Sequence, residues 1–373
     1  MEARIVHLAS GDLWAGAEVQ LFQLVTEYVK YNENLLVVLF NPGQLADLLT
    51  QNNIEVIVLD ETELSSLVIA RQLYLILKKF KATIIHTHRF KENILGGLVA
   101  KLFGCKSVRT EHGASEFLNL SFDLRRFVSH VLDRFSGLFL QQKIIAVSDE
   151  LKGKLSKNYP DTKIQVIENS VQFELIRQNA TQSKPIDKSS KDFIVGFIGR
   201  FVPVKRTDFF YDIAKNTLVA NPELNIHFYM IGDGPLIESM QQQVESEGFY
   251  DRVHLPGFKS NTATYLKQFD LLLFTSDHEG LPMTLLEAMS LNIPVMSTNL
   301  ATVKKVLCDG DCGYIMESRN PDEFSSKILE ILNNPQESLD MAAKASKVLE
   351  TRYSIENNIQ LYQSVYDEIL LTN

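Results

Sequence analysis

The chain has 373 residues, 45% apolar and 22% charged, the balance of a soluble globular protein long enough for two domains of ordinary size. Its net charge of −9 falls on the half after residue 185, which argues against general nucleic-acid binding; the near-neutral first half stays compatible with a membrane surface or an anionic acceptor. Three cysteines (Cys105, Cys308, Cys312) are too few for a disulfide framework and fit a reducing compartment. No run approaches about 18 apolar residues, so no transmembrane helix is expected. The start, Met1-Glu2-Ala3-Arg4-Ile5, runs straight into a strand pattern; no signal peptide and a cytoplasmic location are the expectation.

Short apolar runs alternate with helical patterns along the chain. Ala3–Ala9, Leu35–Phe40, Ile54–Leu59, Thr83–His88, Ser107–Thr110, Lys143–Val147 and Ile164–Ile167 read as buried parallel strands, with helices such as Ala17–Tyr31 and Leu67–Phe80 between them. The polar segment Thr181–Asp192 reads as a linker. The alternation restarts with strands at Phe193–Ile198, Asn225–Ile231, Arg252–Leu255, Asp270–Phe274, Ile293–Met296 and Gly313–Met316. Helices are expected at Val204–Ala220, Pro235–Glu247, Pro282–Ser290, Pro321–Leu332 and Pro335–Leu349. Two such blocks imply an α/β protein of two doubly wound, Rossmann-like domains facing across a cleft, at residues 1–180 and 193–354. The last helix, Ile355–Leu371, follows no strand and is expected to pack back on the first domain.

Several strand-to-helix loops carry residues suited to an anionic, polyhydroxylated ligand. Glu279-Gly280-Leu281-Pro282 precedes a helix whose first turn Pro282 would open, with Glu287 one to two turns inside. Gly199-Arg200, leaving a central strand, and Lys205, at the next helix start, suit a phosphate clamp; a solvated basic loop is the plain alternative. Gly232-Asp233-Gly234-Pro235 is a turn whose glycines allow close backbone approach. Phe258 could cover a nucleobase or pack in the core. The loop Gly11 to Glu18 lacks the dinucleotide glycine spacing, which disfavours a redox enzyme, yet Ala15-Gly16-Ala17 leaves room at a helix start. His86, His88, Glu111 and His112 sit at strand ends; without ordered ligand spacing they read as hydrogen-bonding residues rather than a metal site, and His112 is best placed to reach a cleft. Asp309-Gly310-Asp311 reads as a turn. Phe117–Gln142, with Arg125, Arg126 and Arg134, reads as an amphipathic helix suited either to a membrane or to ordinary packing.

Taken together these loops resemble those of the family-4 glycosyltransferases, retaining nucleotide-sugar enzymes with the B-type, two-Rossmann fold. The likeness rests on Gly199-Arg200…Lys205, on the paired acids Glu279…Glu287, on Gly232-Asp233-Gly234-Pro235, and on Val253…Gly257-Phe258. In the first half, Gly16-Ala17-Glu18 resembles the Gly-Gly-x-Glu loop with Ala15 in place of the first glycine, and Ala146-Val147-Ser148-Asp149 the serine motif. Glu168-Asn169-Ser170-Val171 departs from the usual Asn-Gly at Ser170. The resemblance implies that Arg200 and Lys205 hold the donor diphosphate with Gly199 and Gly232 nearby. Glu287 would bind the ribose, Glu279 and the Gly280–Leu281–Pro282 backbone the sugar hydroxyls, His112 the sugar's C6 side, and Gly16 the diphosphate or acceptor. It implies no metal and no cofactor apart from the nucleotide-diphosphate sugar substrate. The acceptor would be a glycan or a lipid-linked molecule, met with or without peripheral membrane association at the inner face. An epimerase of the same fold, or a non-catalytic subunit that binds a nucleotide sugar, would use the same donor residues.

Overall fold

The computed structural model describes residues 3–113 and 124–371. It divides into two compact units, residues 1–170 with 355–373, and residues 171–354.

In the first unit, β1 (Ile5–Ala9), β2 (Leu35–Leu39), β3 (Val56–Val58), β4 (Ile84–Thr87), β5 (Lys106–Glu111), β6 (Lys143–Ala146) and β7 (Ile164–Val166) form one parallel sheet. Its order is β3-β2-β1-β4-β5-β6-β7. In the second, β8 (Phe193–Ile198), β9 (Ile226–Ile231), β10 (Val253–Gly257), β11 (Leu271–Phe274), β12 (Val295–Thr298) and β13 (Tyr314–Met316) take the order β10-β9-β8-β11-β12-β13. Both sheets therefore reverse direction beside their first strand, between β1 and β4 and between β8 and β11. Ligands bind beyond the carboxyl ends of strands at such a switch point.

The inner strands are mostly apolar because helices cover both faces: every residue of β1, β2 and β11 is buried. Polar side chains inside these strands stand out, among them His7 in β1, His86 in β4 and Arg109 in β5, all buried. Helix starts follow local chemistry. Ser148 Oγ accepts from Leu151 N at 3.1 Å, and Asn320 Oδ1 from Asp322 N at 3.0 Å ahead of Pro321.

Three expectations change. The segment expected to be a linker is tied into the second unit: Ile186 N donates to Gln268 Oε1, and the Lys188 ammonium holds Asp270 at 2.6 Å. The units divide at Ser170/Val171, ahead of the expected boundary, and the helix Phe173–Asn179 belongs to the second unit. There Arg177 Nε donates to the Ser290 carbonyl. Pro282 is the N-cap rather than a first-turn residue of the helix Met283–Ser290.

The helix Ile355–Leu371 lies in the first unit, against the helix Gly16–Tyr28. Its Tyr366 meets Tyr28 edge to face with ring centres 5.8 Å apart. Phe117 and its neighbours to residue 123 lie outside the described residues. After them runs the helix Leu124–Phe135, continued by one π-helical turn, Ser136–Leu140. Val128, Val131, Leu132, Phe135 and Phe139 are all exposed, so the ordinary packed-helix reading does not hold for this row.

Candidate active site

In the second unit the switch point gathers two loops that are stitched together. After β8, Gly199 and Arg200 lead to a single 3-10 turn, Pro203–Lys205; Arg206 then takes a left-handed conformation (φ 50°) before the helix Thr207–Ala220. Lys205 therefore ends a separate tight turn and does not start the helix. After β11, Asp277 N donates to the Val204 carbonyl at 2.8 Å and Thr275 Oγ1 to the Lys205 carbonyl at 3.0 Å. Asp277 also accepts from Arg319 Nη1 and Arg206 Nη1, which fastens the same loop from outside.

These bonds bring Lys205 against Glu279. The Lys205 ammonium donates to both carboxylate oxygens of Glu279, at 2.6 and 2.7 Å, and Ser276 Oγ donates to Oε1 at 2.6 Å. Glu279 is 8% exposed, and three hydrogen bonds from Lys205 and Ser276 offset the desolvation of its charge. Gly280 is half-buried and Leu281 and Pro282 are buried, so this stretch can offer a ligand little but its backbone. No side chain caps the helix Met283–Ser290, whose first-turn amides and positive dipole end suit an oxygen-rich ligand.

Glu287, on that helix, is half-buried. Burial pushes its carboxyl up to about 7, and a hydrogen bond from Thr262 offsets part of that rise. Phe258 follows β10 and is 49% exposed, which decides against the core-packing alternative and leaves the residue open for stacking.

Arg200 is exposed at the end of β8. Its loop is held by the turn Gly232–Gly234: Gly199 N donates to the Ile231 carbonyl and Phe201 N to the Asp233 carbonyl. Gly232 has φ 144°, and a Cβ there would stand 1.8 Å from the Gly199 carbonyl oxygen. The close backbone approach expected at Gly232 is thus made to the chain's own Gly199 loop.

In the first unit, the loop after β1 leads to Ala15, the N-cap of the helix Gly16–Tyr28, with Gly16 exposed at its start. Glu18 accepts from Ala15 N at 3.3 Å and pairs with Arg89, whose other guanidinium nitrogen lies 3.5 Å from Asp12. Burial raises the Glu18 carboxyl against the opposing pull of Arg89. Trp14, on the same loop, packs edge to face on Phe22.

His112 follows β5, and its Nε2 is 3.2 Å from His88 Nδ1. His88 Nε2 is in turn 2.9 Å from His7 Nδ1. His86 uses Nδ1 on Tyr366 Oη at 2.7 Å and Nε2 on Thr110 Oγ1 at 2.8 Å. Burial pushes His112 down to about 4 and His7 to about 3, and holds His86 and His88 well below the ordinary imidazole range. Among the described residues His7, His86 and His88 bring ligating nitrogens within 4.8 Å of one another. His86 stacks on His88 at 4.3 Å between centres, however, while His7 and His88 meet edge to edge and spend Nδ1 and Nε2 on each other. In-plane lone pairs of stacked rings do not converge on one ion, and both nitrogens of His86 are already hydrogen-bonded. The cluster is a hydrogen-bonded column.

Beside it Arg109 is fully buried between Glu111 (3.1 Å) and Asp133 (2.9 Å), with Tyr159 under its guanidinium. This network lines a cavity of about 450 Å³. Sequence reading missed His7, Arg89 and Ser276. His7 left a signal, a lone imidazole inside an otherwise apolar strand. Ser276 left none, since its partner is defined only by the loop's shape.

Two Rossmann-like sheets with these loops at their switch points define the class, a glycosyltransferase of the B-type fold. The solved structure of Anabaena HepE in complex with UDP-glucose is similar in fold, with a TM-score of 0.84 and 19% identity over 98% of this chain and 99% of that one. The profile described as Glycosyltransferase Family 4 matches residues 14–175, and that described as Glycosyl transferases group 1 matches residues 178–348. The chain belongs to the family-4 glycosyltransferases. It is 27% identical to an uncharacterised glycosyltransferase of Methanocaldococcus jannaschii over 77% of this chain and 75% of that protein. It is 26% identical to the UDP-Gal:alpha-D-GlcNAc-diphosphoundecaprenol alpha-1,3-galactosyltransferase of Escherichia coli, over 70% of this chain and 69% of that one.

Proposed function

We propose that the protein is a retaining, metal-independent glycosyltransferase that moves a sugar from a nucleoside-diphosphate sugar to a hydroxyl of a glycan or lipid-linked acceptor in surface polysaccharide or glycoconjugate biosynthesis. The observation that carries this reading is the Lys205–Glu279–Ser276 cluster on two interlocked loops at the switch point of the second unit. Arg200 and Lys205 hold the diphosphate, Gly199 and the Gly232 turn keep their loop in place, Glu287 binds the ribose hydroxyls, and Phe258 stacks on the base. The Gly280–Leu281–Pro282 backbone and Glu279 take sugar hydroxyls, His112 offers a nitrogen to another, and Gly16 leaves space for diphosphate or acceptor.

In the reaction the bond from the anomeric carbon to the phosphate oxygen breaks and its electron pair leaves with the diphosphate. Fixed cations stabilise that developing charge without reorganising water. The acceptor oxygen attacks the same face, and its proton passes to the departing phosphate. Glu279 is a poor candidate for a covalent nucleophile, because both its oxygens are occupied by Lys205 and one also by Ser276. Trapping a glycosyl–Glu279 adduct would refute the front-face route.

The relatives' names support the substrate class: the Escherichia coli protein is named for a UDP sugar and a diphosphoundecaprenol-linked acceptor. No described helix is long and apolar enough to cross a membrane. The exposed row Val128, Val131, Leu132, Phe135, Phe139 would instead rest on the inner face of the cytoplasmic membrane, where such an acceptor is anchored. A thermal-shift screen of nucleotide sugars tests the donor assignment, since a cognate donor raises the melting temperature by mass action. Stabilisation by none of them would overturn it, and an altered sugar formed from donor alone would point to the epimerase instead. Flotation with anionic vesicles tests the membrane contact, and protein left entirely at the bottom of the gradient would end it.

A further inference from the structure

We propose that His88, backed by His7, is a positioning residue that holds the ring orientation of His112 and couples its tautomer to that of His88, so that His112 Nδ1 meets a neutral sugar hydroxyl. The inference rests on the glycosyltransferase reading above and concerns two buried residues which that reading leaves unused. His7 is on β1, opposite His86 in register; His88 follows β4 and His112 follows β5, so three adjacent strands deliver the chain to the switch point. The contacts are consecutive: His7 Nδ1 to His88 Nε2 at 2.9 Å, then His88 Nδ1 to His112 Nε2 at 3.2 Å.

Burial keeps all three rings neutral, so each has one hydrogen for two nitrogens. Once His88 donates to one neighbour it must accept from the other, and both hydrogen bonds run in the same direction. In one polarity His112 carries its hydrogen on Nδ1 and is a donor there; in the other Nδ1 is an acceptor. Nδ1 is shielded from water and has no hydrogen bond among the described residues. It holds an unmet hydrogen-bonding capacity that a ligand brought against the half-buried ring would meet. A hydroxyl both donates and accepts and so fits either polarity without charging a ring. A phosphate or a carboxylate fits only one, and an ammonium only the other. A hydroxyl is thus the group that the column takes in either polarity, and the stack of His88 on His86 keeps the relay from swinging.

The test is His88→Phe, which keeps a flat, somewhat larger ring for the stack but removes both nitrogens. Nitrogen-15 spectra of the histidines in the whole protein, with His112 identified through His112→Asn, should show His112 changing its tautomer balance. Turnover of UDP-glucose, UDP-galactose or UDP-N-acetylglucosamine, whichever the wild type uses best, should lose about tenfold in kcat/KM, the usual scale for one buried hydrogen bond left unmet. UDP affinity should not change. His88→Gln, which restores one donor and one acceptor, should recover part of the loss, and His7→Phe should give a smaller loss of the same kind. Unchanged His112 signals in His88→Phe would overturn the proposal, as would a fall in UDP affinity equal to the fall in turnover, which marks mere structural damage. If His112 shifts as stated while the wild type turns over no nucleotide sugar, the relay stands and the transferase reading falls.

Discussion

Lys205 and Glu279 form a buried pair whose two partners can be removed separately or together, and the outcomes differ sharply. In Lys205→Met the Glu279 carboxylate, 8% exposed, keeps, among the described residues, only the Ser276 hydroxyl. Breaking a buried ion pair from one side costs about 3–5 kcal/mol. Lys205 is 24% exposed, so water relieves part of the penalty, and the lower end, about 3 kcal/mol, applies. At roughly 2–4 °C per kcal/mol for a domain of this size, the melting temperature should fall by about 6–12 °C. Glu279→Gln should cost less, because a lysine on a flexible stem can turn to water. The double variant Lys205→Met, Glu279→Gln leaves no uncompensated charge and should regain most of the lost stability. Turnover should behave otherwise: it should fall by roughly 10²–10³ in Lys205→Met and stay down in the double variant, because the diphosphate has lost a fixed cation in both. Differential scanning calorimetry and initial rates on the four proteins give the full cycle. A double variant as unstable as the sum of the singles would refute the pairing argument. Wild-type turnover in Lys205→Met would refute the diphosphate role.

Glu287 yields a pH signature. Its folded carboxyl titrates at about 7 against an ordinary value of 4.5, so the folded state binds the extra proton in between. The stability this group contributes is present below about 4.5 and is lost as pH rises through about 7, by linkage. Ribose recognition needs the ionised form, so nucleoside diphosphate affinity should rise with pH up to about 7 and level off above it. Glu287→Gln should flatten both dependences and weaken binding by calorimetry; a titration curve identical to the wild type's would remove Glu287 from the site. For Gly232→Ala, a Cβ 1.8 Å from the Gly199 oxygen at φ 144° cannot be accommodated without moving the Arg200 loop. Soluble yield and melting temperature should drop well beyond the roughly 1 kcal/mol of an ordinary Gly→Ala change in a helix.

Local signals carried far in this chain. The run Phe193–Ile198 is a strand with those very ends, and Ile355–Leu371 is a helix with those very ends, because period and composition specify each without help from distant residues. The acids at 279 and 287, the cations at 200 and 205 and the glycines at 199 and 232 were legible as motifs. Their relations were not. The expectation for Lys205 as a helix-start residue failed because a 3-10 turn and a left-handed Arg206 intervene, a choice made by bonds to Thr275 and Asp277 some seventy residues away. The segment at 181–192 looked like a linker by composition, yet Lys188 and Ile186 find partners at Asp270 and Gln268.

The amino-acid sequence by itself determined that the chain makes two α/β units, where their strands lie, and which side chains lie on the strand-to-helix loops, since hydrophobic period, turn residues and strand ends are local properties. Only tertiary structure decided that Lys205 neutralises Glu279, that Gly232 serves Gly199, and that His7 stands behind His88 and His112. Each of these depends on strand order, which brings residues far apart in the chain to one end of a sheet, and pairing across a sheet leaves no mark in the order of residues along it.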